Sequence, residues 1–214
     1  MKKISTWLIA AGIILILIPI AGSLYTKHQQ NKLYEEYLNS PELKSSLEDL
    51  DSAFTESPVS PSAIEGTGSA IEEPTKPAVE AYKPAVIGRI KIPSASINLL
   101  LVEGSASKDL NWGAGHLTAT PMPGEIGNCA IAGHRNYTFG SYFSRLGDVK
   151  VGDQITVEYK KTTYTYEAYE ILTVLPDDTS VLGQTDEASI LTLITCTPKG
   201  SNTHRLIIHG KLIP

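Results

Sequence analysis

From Val86 to the end of the chain, short apolar and β-branched runs alternate with turn residues. This density of strand patterns is typical of an all-β domain, either a barrel or a sandwich. The stretch Tyr164–Ile171 is rich in aromatic and β-branched residues and alternates in part, which favours a half-exposed strand. We predict strands at residues 87–92, 97–102, 128–132, 155–159, 163–175, 190–195 and 206–212.

The amino-terminal end differs from this domain. Residues 4–25 carry no charge and, at about 1.5 Å per residue, are long enough to span a bilayer core of about 30 Å. Pro19-Ile20-Ala21, near the end of the run, lacks the small-x-small cleavage pattern of a signal peptide, and Lys2 and Lys3 favour a cytoplasmic start. We therefore expect a single-pass membrane anchor in residues 1–25, with the remaining chain outside the cell.

The composition changes twice between the anchor and the first strand. Residues 26–54 are polar and compatible with a partly helical stalk, and Ser40-Pro41 followed by spaced leucines predicts a short helix that ends near Phe54. Residues 55–85 contain five prolines among Ser, Gly and Glu, a composition that cannot bury enough apolar surface to stay ordered. We predict a flexible linker there and a folded domain over residues 86–214.

Charge and acidic residues limit the partners of the whole chain. The net charge of −5 leaves no basic stripe to replace phosphate counterions, which argues against nucleic acid as a partner. Glu125, Asp177 and Asp178 are candidate cation ligands, but they are interpreted more simply as turn and solvation residues. We therefore predict no metal site.

Three reactive side chains stand at or near the ends of predicted strands. Cys196 ends the strand pattern of residues 190–195, Arg205 precedes the next strand nine residues later, and His134 follows the strand at 128–132. Nine residues allow two antiparallel strands to place the thiol beside the guanidinium. A thiolate that attacks a carbonyl needs a fixed cation for the developing oxyanion, and a leaving amine needs a proton from an acid such as histidine. The set predicts acyl transfer.

The second cysteine has a different setting. On a strand over residues 127–134, Cys129 shares one face with Ile131, whereas Ala130 and His134 share the other face. Cys129 is therefore predicted to be a small buried hydrophobic residue of the core. We expect both thiols to remain reduced.

The ordered segments Ala-Gly-His134-Arg, Thr-Leu-Ile-Thr-Cys196 and Arg205-Leu resemble the sortase family. The resemblance covers roughly residues 86–212, and the segments 107–126 and 176–182 are similar to its class D group. It implies a closed eight-stranded β-barrel with short helices and an active groove on the outer wall. It also implies that Cys196 is the nucleophile, Arg205 the residue that stabilises the oxyanion and, among five histidines, His134 the acid and base.

The same resemblance implies a membrane-anchored cysteine transpeptidase of the Gram-positive cell surface. Its substrates would be surface proteins with an LPxTG-like sorting signal, joined through a thioacyl-enzyme to a peptidoglycan precursor amine, without a cofactor. By strand alternation Ala130, Ala132 and Ile194 would line an apolar groove for the substrate. His116 lies in a family-like segment, and either substrate positioning or structural hydrogen bonding remains open for it.

Three alternatives compete with this interpretation. A class C sortase that polymerises pilins would carry a lid with an Asp-Pro-aromatic motif and often a carboxy-terminal membrane helix, and neither pattern is found in the sequence. A non-catalytic, membrane-anchored β-barrel that binds a surface ligand would tolerate loss of the thiol. An L,D-transpeptidase would carry a Ser-x-Gly-Cys segment, which the chain does not contain.

Overall fold

The computed structural model describes residues 22, 24–39, 82–135 and 142–214. Within them the chain forms a closed barrel of eight strands, which confirms the predicted fold class. The strands are β1 (Val86–Ile92), β2 (Ile97–Glu103), β3 (Ala114–His116), β4 (Gly127–Ala132), β5 (Gln154–Tyr159), β6 (Thr162–Val174), β7 (Ser189–Thr197) and β8 (His204–Ile213).

The order of strands around the barrel is β1-β2-β3-β4-β7-β8-β6-β5. Two neighbouring pairs are parallel, β2 with β3 and β4 with β7, and the other pairs are antiparallel. Because β4 and β7 run in the same direction and β8 runs against them, the ends of β4 and β7 and the start of β8 meet at one rim.

The barrel interior is filled by the inward side of each strand. In β7 the inward residues are Leu191 and Leu193, which are fully buried, whereas Ile194 and Cys196 point outward and keep some exposed surface. Full burial of one such leucine stabilises the fold by about 1.5–3 kcal/mol. This alternation fixes which residues of β7 the outer wall presents.

Two α-helices accompany the barrel in the described part of the chain. The first, α1, covers residues 24–38, and the second, α2, is the single turn Ser107–Leu110. Leu33 of α1 is buried in a small apolar cluster with Leu100 and Val102 of β2. The sequence predicts a stalk for the residues of α1. In the structure α1 packs against the barrel, and α1 and the barrel belong to one compact unit.

The remaining amino-terminal predictions fall mostly on residues that the structure does not describe. These are the anchor, except for residues 22, 24 and 25, the helix at 40–54, and the linker up to residue 81. None of the helices in the described ranges combines the length and the apolar character that crossing a membrane requires.

Candidate active site

Cys196 and Arg205 are direct partners across the antiparallel pair of β7 and β8. Side chains in such positions have Cβ atoms about 4.5–5.5 Å apart. Both residues are partly exposed, and both lie on the outer wall because their neighbours Thr195 and Leu206 are buried. The register confirms that the nine-residue spacing places the thiol beside the guanidinium.

His134 is held next to Cys196 by hydrogen bonds beyond the end of β4. Ala132 is the register partner of Ile194 in the parallel pair of β4 and β7. One residue further, the Gly133 amide donates to the Ile194 carbonyl at 3.0 Å, and the Thr195 hydroxyl donates to the Gly133 carbonyl at 2.7 Å. The alignment thus continues past β4 and places His134 alongside Cys196.

These three residues form what we call the reactive row, His134–Cys196–Arg205, across the adjacent ends of β4, β7 and β8. Tyr142 and Phe143 hold the histidine of this row in place. The Phe143 amide donates to the His134 carbonyl at 2.9 Å, and the Tyr142 ring meets the imidazole edge-on at 6.1 Å between centroids. A Cβ atom on Gly133 would lie 2.6 Å from the Phe143 ring, so the packing around His134 requires glycine there.

Arg135 contacts the nucleophile's backbone. Its Nη1 donates to the Cys196 carbonyl at 3.1 Å, and its buried Nε has no hydrogen-bond partner in the described part of the chain. Strand alternation would point Arg135 away from the face that carries His134, but β4 ends at Ala132 and the side chain reaches the Cys196 carbonyl. Arg135 holds the Cys196 backbone in place and is therefore a positioning residue of the site.

The guanidinium of Arg205 is bound to its own loop in this conformation. Its Nη1 donates to the Asn202 carbonyl at 3.0 Å and to the His204 carbonyl at 3.1 Å. Stabilising an oxyanion formed at Cys196 requires Arg205 to exchange these carbonyls for the substrate oxygen. An arginine can make this exchange without a change of charge.

The three predicted groove residues differ in exposure. Ala132 and Ile194 form the register pair next to the reactive row, and both keep some exposed surface. Ala130 is fully buried, because its amide donates to the Thr120 hydroxyl and its carbonyl accepts from the Leu117 amide. The turn at residues 117–120 therefore covers Ala130, and the groove surface that the sequence analysis expected from it is absent in this structure.

His116 is 1% exposed and has partners at both ring nitrogens. Its Nδ1 lies 2.9 Å from a Glu103 carboxylate oxygen, and its Nε2 lies 3.1 Å from the Pro121 carbonyl. Of the two roles that the sequence left open, this arrangement supports structural hydrogen bonding. The hydrogen bonds of His116 stabilise the turn that covers Ala130, and its side chain is too deeply buried to contact a substrate.

Cys129 points into the core and is fully buried. Burial raises the pKa of this thiol to about 12, and the negative charges of Glu125 and Glu103 add to the shift. Both cysteines of the chain are free thiols, as expected, and Cys196 is the one with exposed surface. Of the two thiols, Cys196 is therefore the one that the fold leaves partly exposed, and it lies in register with Arg205.

Two of the acidic residues considered as cation ligands bind backbone amides in turns. Glu125 accepts from the Met122 amide at 2.9 Å, and Asp178 accepts from the amide and hydroxyl of Ser180 at 3.0 and 2.6 Å. The Ser180 hydrogen bonds hold the pKa of the Asp178 carboxyl below its ordinary value. These contacts are those of turn residues.

A sequence model of the sortase domain matches residues 90–213, a range that contains the whole reactive row. The chain belongs to the sortase family. As a sortase it is a cysteine transpeptidase of the Gram-positive cell surface, and the closed eight-stranded barrel agrees with that assignment.

Individual relatives support the same family. Sortase A of Streptococcus agalactiae is 31% identical over 96% of this chain and 81% of its own length. Sortase D of Bacillus subtilis is 31% identical over 72% of this chain and 77% of its own length. Among solved structures, a lid mutant of sortase A from Corynebacterium diphtheriae matches with a TM-score of 0.60 and 34% identity, covering 62% of this chain and 73% of that protein.

Proposed function

We propose that this sortase cleaves an LPxTG-like sorting signal and joins the released carboxyl group to an amine of a peptidoglycan precursor, as a class D-like enzyme. The observation that carries the proposal is the reactive row. It aligns a thiol, an imidazole and a guanidinium on one rim, with the thiol and the guanidinium in direct register.

Each member of the row has one task in the proposed reaction. The Cys196 thiolate attacks the threonine carbonyl of the signal, and Arg205 stabilises the oxyanion that forms. The carbon–nitrogen bond to glycine then breaks, and His134 donates a proton to the leaving amine. The resulting thioester is attacked by the precursor amine, which loses a proton to His134 as Cys196 leaves as a thiolate.

The apolar part of the signal has a matching surface beside the row. Ala132 and Ile194 lie in register on the same outer wall as Cys196, one row away, and both are partly exposed. We assign them to the leucine and proline of the substrate. His116 and the buried Ala130 shape the adjoining turn from below, since neither has surface for direct contact.

Anchoring would serve this reaction by confining the enzyme to the surface where its substrates lie. The uncharged run at residues 4–25 is proposed to cross the membrane once, with a cytoplasmic start, and α1 follows it directly. Sorting substrates and lipid-linked precursors share that surface, and tethering raises their effective concentration for the enzyme. Contact between Leu33 and β2 then keeps the barrel close to the anchor.

The test is transpeptidation of an LPxTG-type peptide to an amine acceptor by the full chain in neutral detergent. We expect Cys196→Ala to lose at least about 10³-fold in rate, because no other group can form the thioester. Cys129→Ala is the matched control and should keep the activity, since Cys129 is buried away from the row. Persistent cleavage by Cys196→Ala would refute the proposed function.

A further inference from the structure

A polar cavity of about 180 Å³ lies between α1 and the barrel. One water needs about 10–15 Å³ of such space, so the cavity has room for a group of several atoms. No residue of the reactive row lines it, although Tyr142, whose ring contacts His134, is part of the lining. The lining side chains include Thr26, Lys27, Gln30 and Asn31 from α1 and Arg89 and Asn98 from the barrel.

Arg89 is the feature that points to a ligand. This arginine is only 9% exposed, and its guanidinium donates to two neutral amide oxygens, of Asn98 at 3.0 Å and of Asn31 at 3.1 Å. Its buried Nε has no hydrogen-bond partner among the described residues. The Tyr34 ring covers one face of the guanidinium at 4.3 Å. Among the described residues this buried cation is therefore hydrogen-bonded to neutral oxygens and to no carboxylate.

The carboxylate across the sheet from Arg89 is already hydrogen-bonded to other side chains. Glu158 is the register partner of Arg89 across β1 and β5, but its oxygens accept from Lys91 and from the Tyr34 hydroxyl. Within the described ranges no ion pair joins Arg89 to a carboxylate. No acidic side chain is among the described residues that line the cavity, whereas Lys27 adds a second cation. The cavity therefore has the charge and donors to hold an anion.

We propose that this cavity, the α1 cavity, binds a phosphate group, with Arg89 as its buried ligand and Lys27 as its exposed one. Guanidinium groups suit phosphate because they offer several fixed donors, and charge-assisted hydrogen bonds to phosphate are strong. The phosphate can come from an anionic lipid headgroup or from free phosphate. A headgroup fits the position, because Lys27 stands just after the uncharged run of residues 4–25.

Asn31 provides a variant that removes the site and preserves the fold. Asn31→Asp keeps the size of the side chain and places a carboxylate 3.1 Å from the Arg89 guanidinium, so it supplies the missing anion from within the chain. The full chain in neutral detergent is titrated with inorganic phosphate at constant ionic strength, and the melting temperature and the ³¹P line width are followed. We expect phosphate to stabilise the wild type and to bind Asn31→Asp at least about tenfold more weakly.

Gln29→Glu is the matched control, because it adds the same charge to α1 at a residue outside the cavity lining. It should bind phosphate as the wild type does. Lys27→Gln should weaken binding less than Asn31→Asp, since Lys27 is exposed and its charge is screened. An equal phosphate-induced rise in melting temperature in Asn31→Asp and in the wild type would overturn the proposal. The absence of any phosphate effect in the wild type would also overturn it, and would leave Arg89 with only the structural role of holding α1 against the barrel.

The source of the phosphate is decided by reconstituting the full chain into vesicles of phosphatidylcholine or of phosphatidylcholine with phosphatidylglycerol. If the ligand is a lipid headgroup, the anionic vesicles raise the melting temperature of the wild type and of Gln29→Glu but not of Asn31→Asp. If the ligand is free phosphate, added phosphate stabilises the wild type equally in both vesicles. An anionic-lipid effect that is the same in all three proteins would refute a specific headgroup site.

Discussion

The two cysteines of this chain sit on neighbouring strands of the same barrel, yet the fold gives them opposite chemical properties. Cys129 in β4 points inward, has no exposed surface, and keeps its proton because burial raises its pKa to about 12. Cys196 in β7 points outward at the strand end, in register with Arg205 and with its carbonyl bound by Arg135. Strand alternation and position within the strand, rather than residue type, decide which thiol can react.

Alkylation of the folded protein is the most direct test of the difference in reactivity between Cys129 and Cys196. With a pKa of about 12, Cys129 has a thiolate fraction of about 10⁻⁴ at pH 8, and it is also shielded from reagent. We expect iodoacetamide to modify Cys196 at least about 10³-fold faster, as measured by mass spectrometry of the digested protein. After denaturation both thiols should react alike, and similar rates in the folded state would contradict the account.

Removal of the Arg205 cation tests whether the charge beside Cys196 contributes to its reactivity. Arg205→Met should lower kcat by about 10²–10³-fold, the usual loss when one oxyanion donor is removed, and Arg205→Lys should recover part of it. Arg145→Met is a suitable control because Arg145 is an exposed arginine that forms an ion pair with Asp148 on the surface. A change in kcat of less than threefold for Arg205→Met would exclude the proposed role of Arg205.

Arg135 tests whether the reactive thiol depends on a fixed backbone. Loss of its hydrogen bond to the Cys196 carbonyl, worth about 1–1.5 kcal/mol, predicts that Arg135→Gln lowers kcat about tenfold with little change in KM. The alkylation rate of Cys196 in the folded variant provides a second readout. Changes in melting temperature alone, with kcat and alkylation unchanged, would show that Arg135 only supports the fold.

The smallest expected effect concerns Cys129, where stability should change and activity should not. Cys129→Ala should lower the free energy of unfolding by about 1 kcal/mol. Because the folded pKa is raised, the unfolded thiol ionises first, and the wild type should lose stability as the pH rises from about 8.5 toward 12. The gap between wild type and Cys129→Ala in denaturant titrations should therefore narrow at alkaline pH, and a constant gap would argue against a buried neutral thiol.

Much of the barrel was predictable because its strands carry strong local patterns. All seven predicted strands are present within a few residues of their expected bounds, and the Cys196–Arg205 register follows from the short loop between them. Strand β3 was missed because its three residues, Ala114–His116, include no β-branched residue. That strand exists because β2 and β4 pair with it on both sides, a tertiary effect that no local pattern contains.

The parts of the site that escaped prediction depend on what covers a residue, which alternation does not report. Ala130 was assigned to the correct face of β4, yet the turn held by Thr120 buries it. Arg135 lies beyond the end of β4, where the two-residue period no longer applies. The packing of α1 was also missed, because its polar sequence carries only Leu33 as a fully apolar contact to the barrel.

The central claim, that Cys196 and not Cys129 forms the covalent intermediate, is tested most directly by trapping that intermediate. The full chain is incubated with an LPxTG-type peptide without an amine acceptor, quenched in acid, digested, and analysed by mass spectrometry. We predict that the peptide containing Cys196 carries the mass increment of the thioester and that the peptide containing Cys129 is unmodified. An adduct on Cys129, or turnover of the peptide by a protein that never carries an adduct on Cys196, would contradict it.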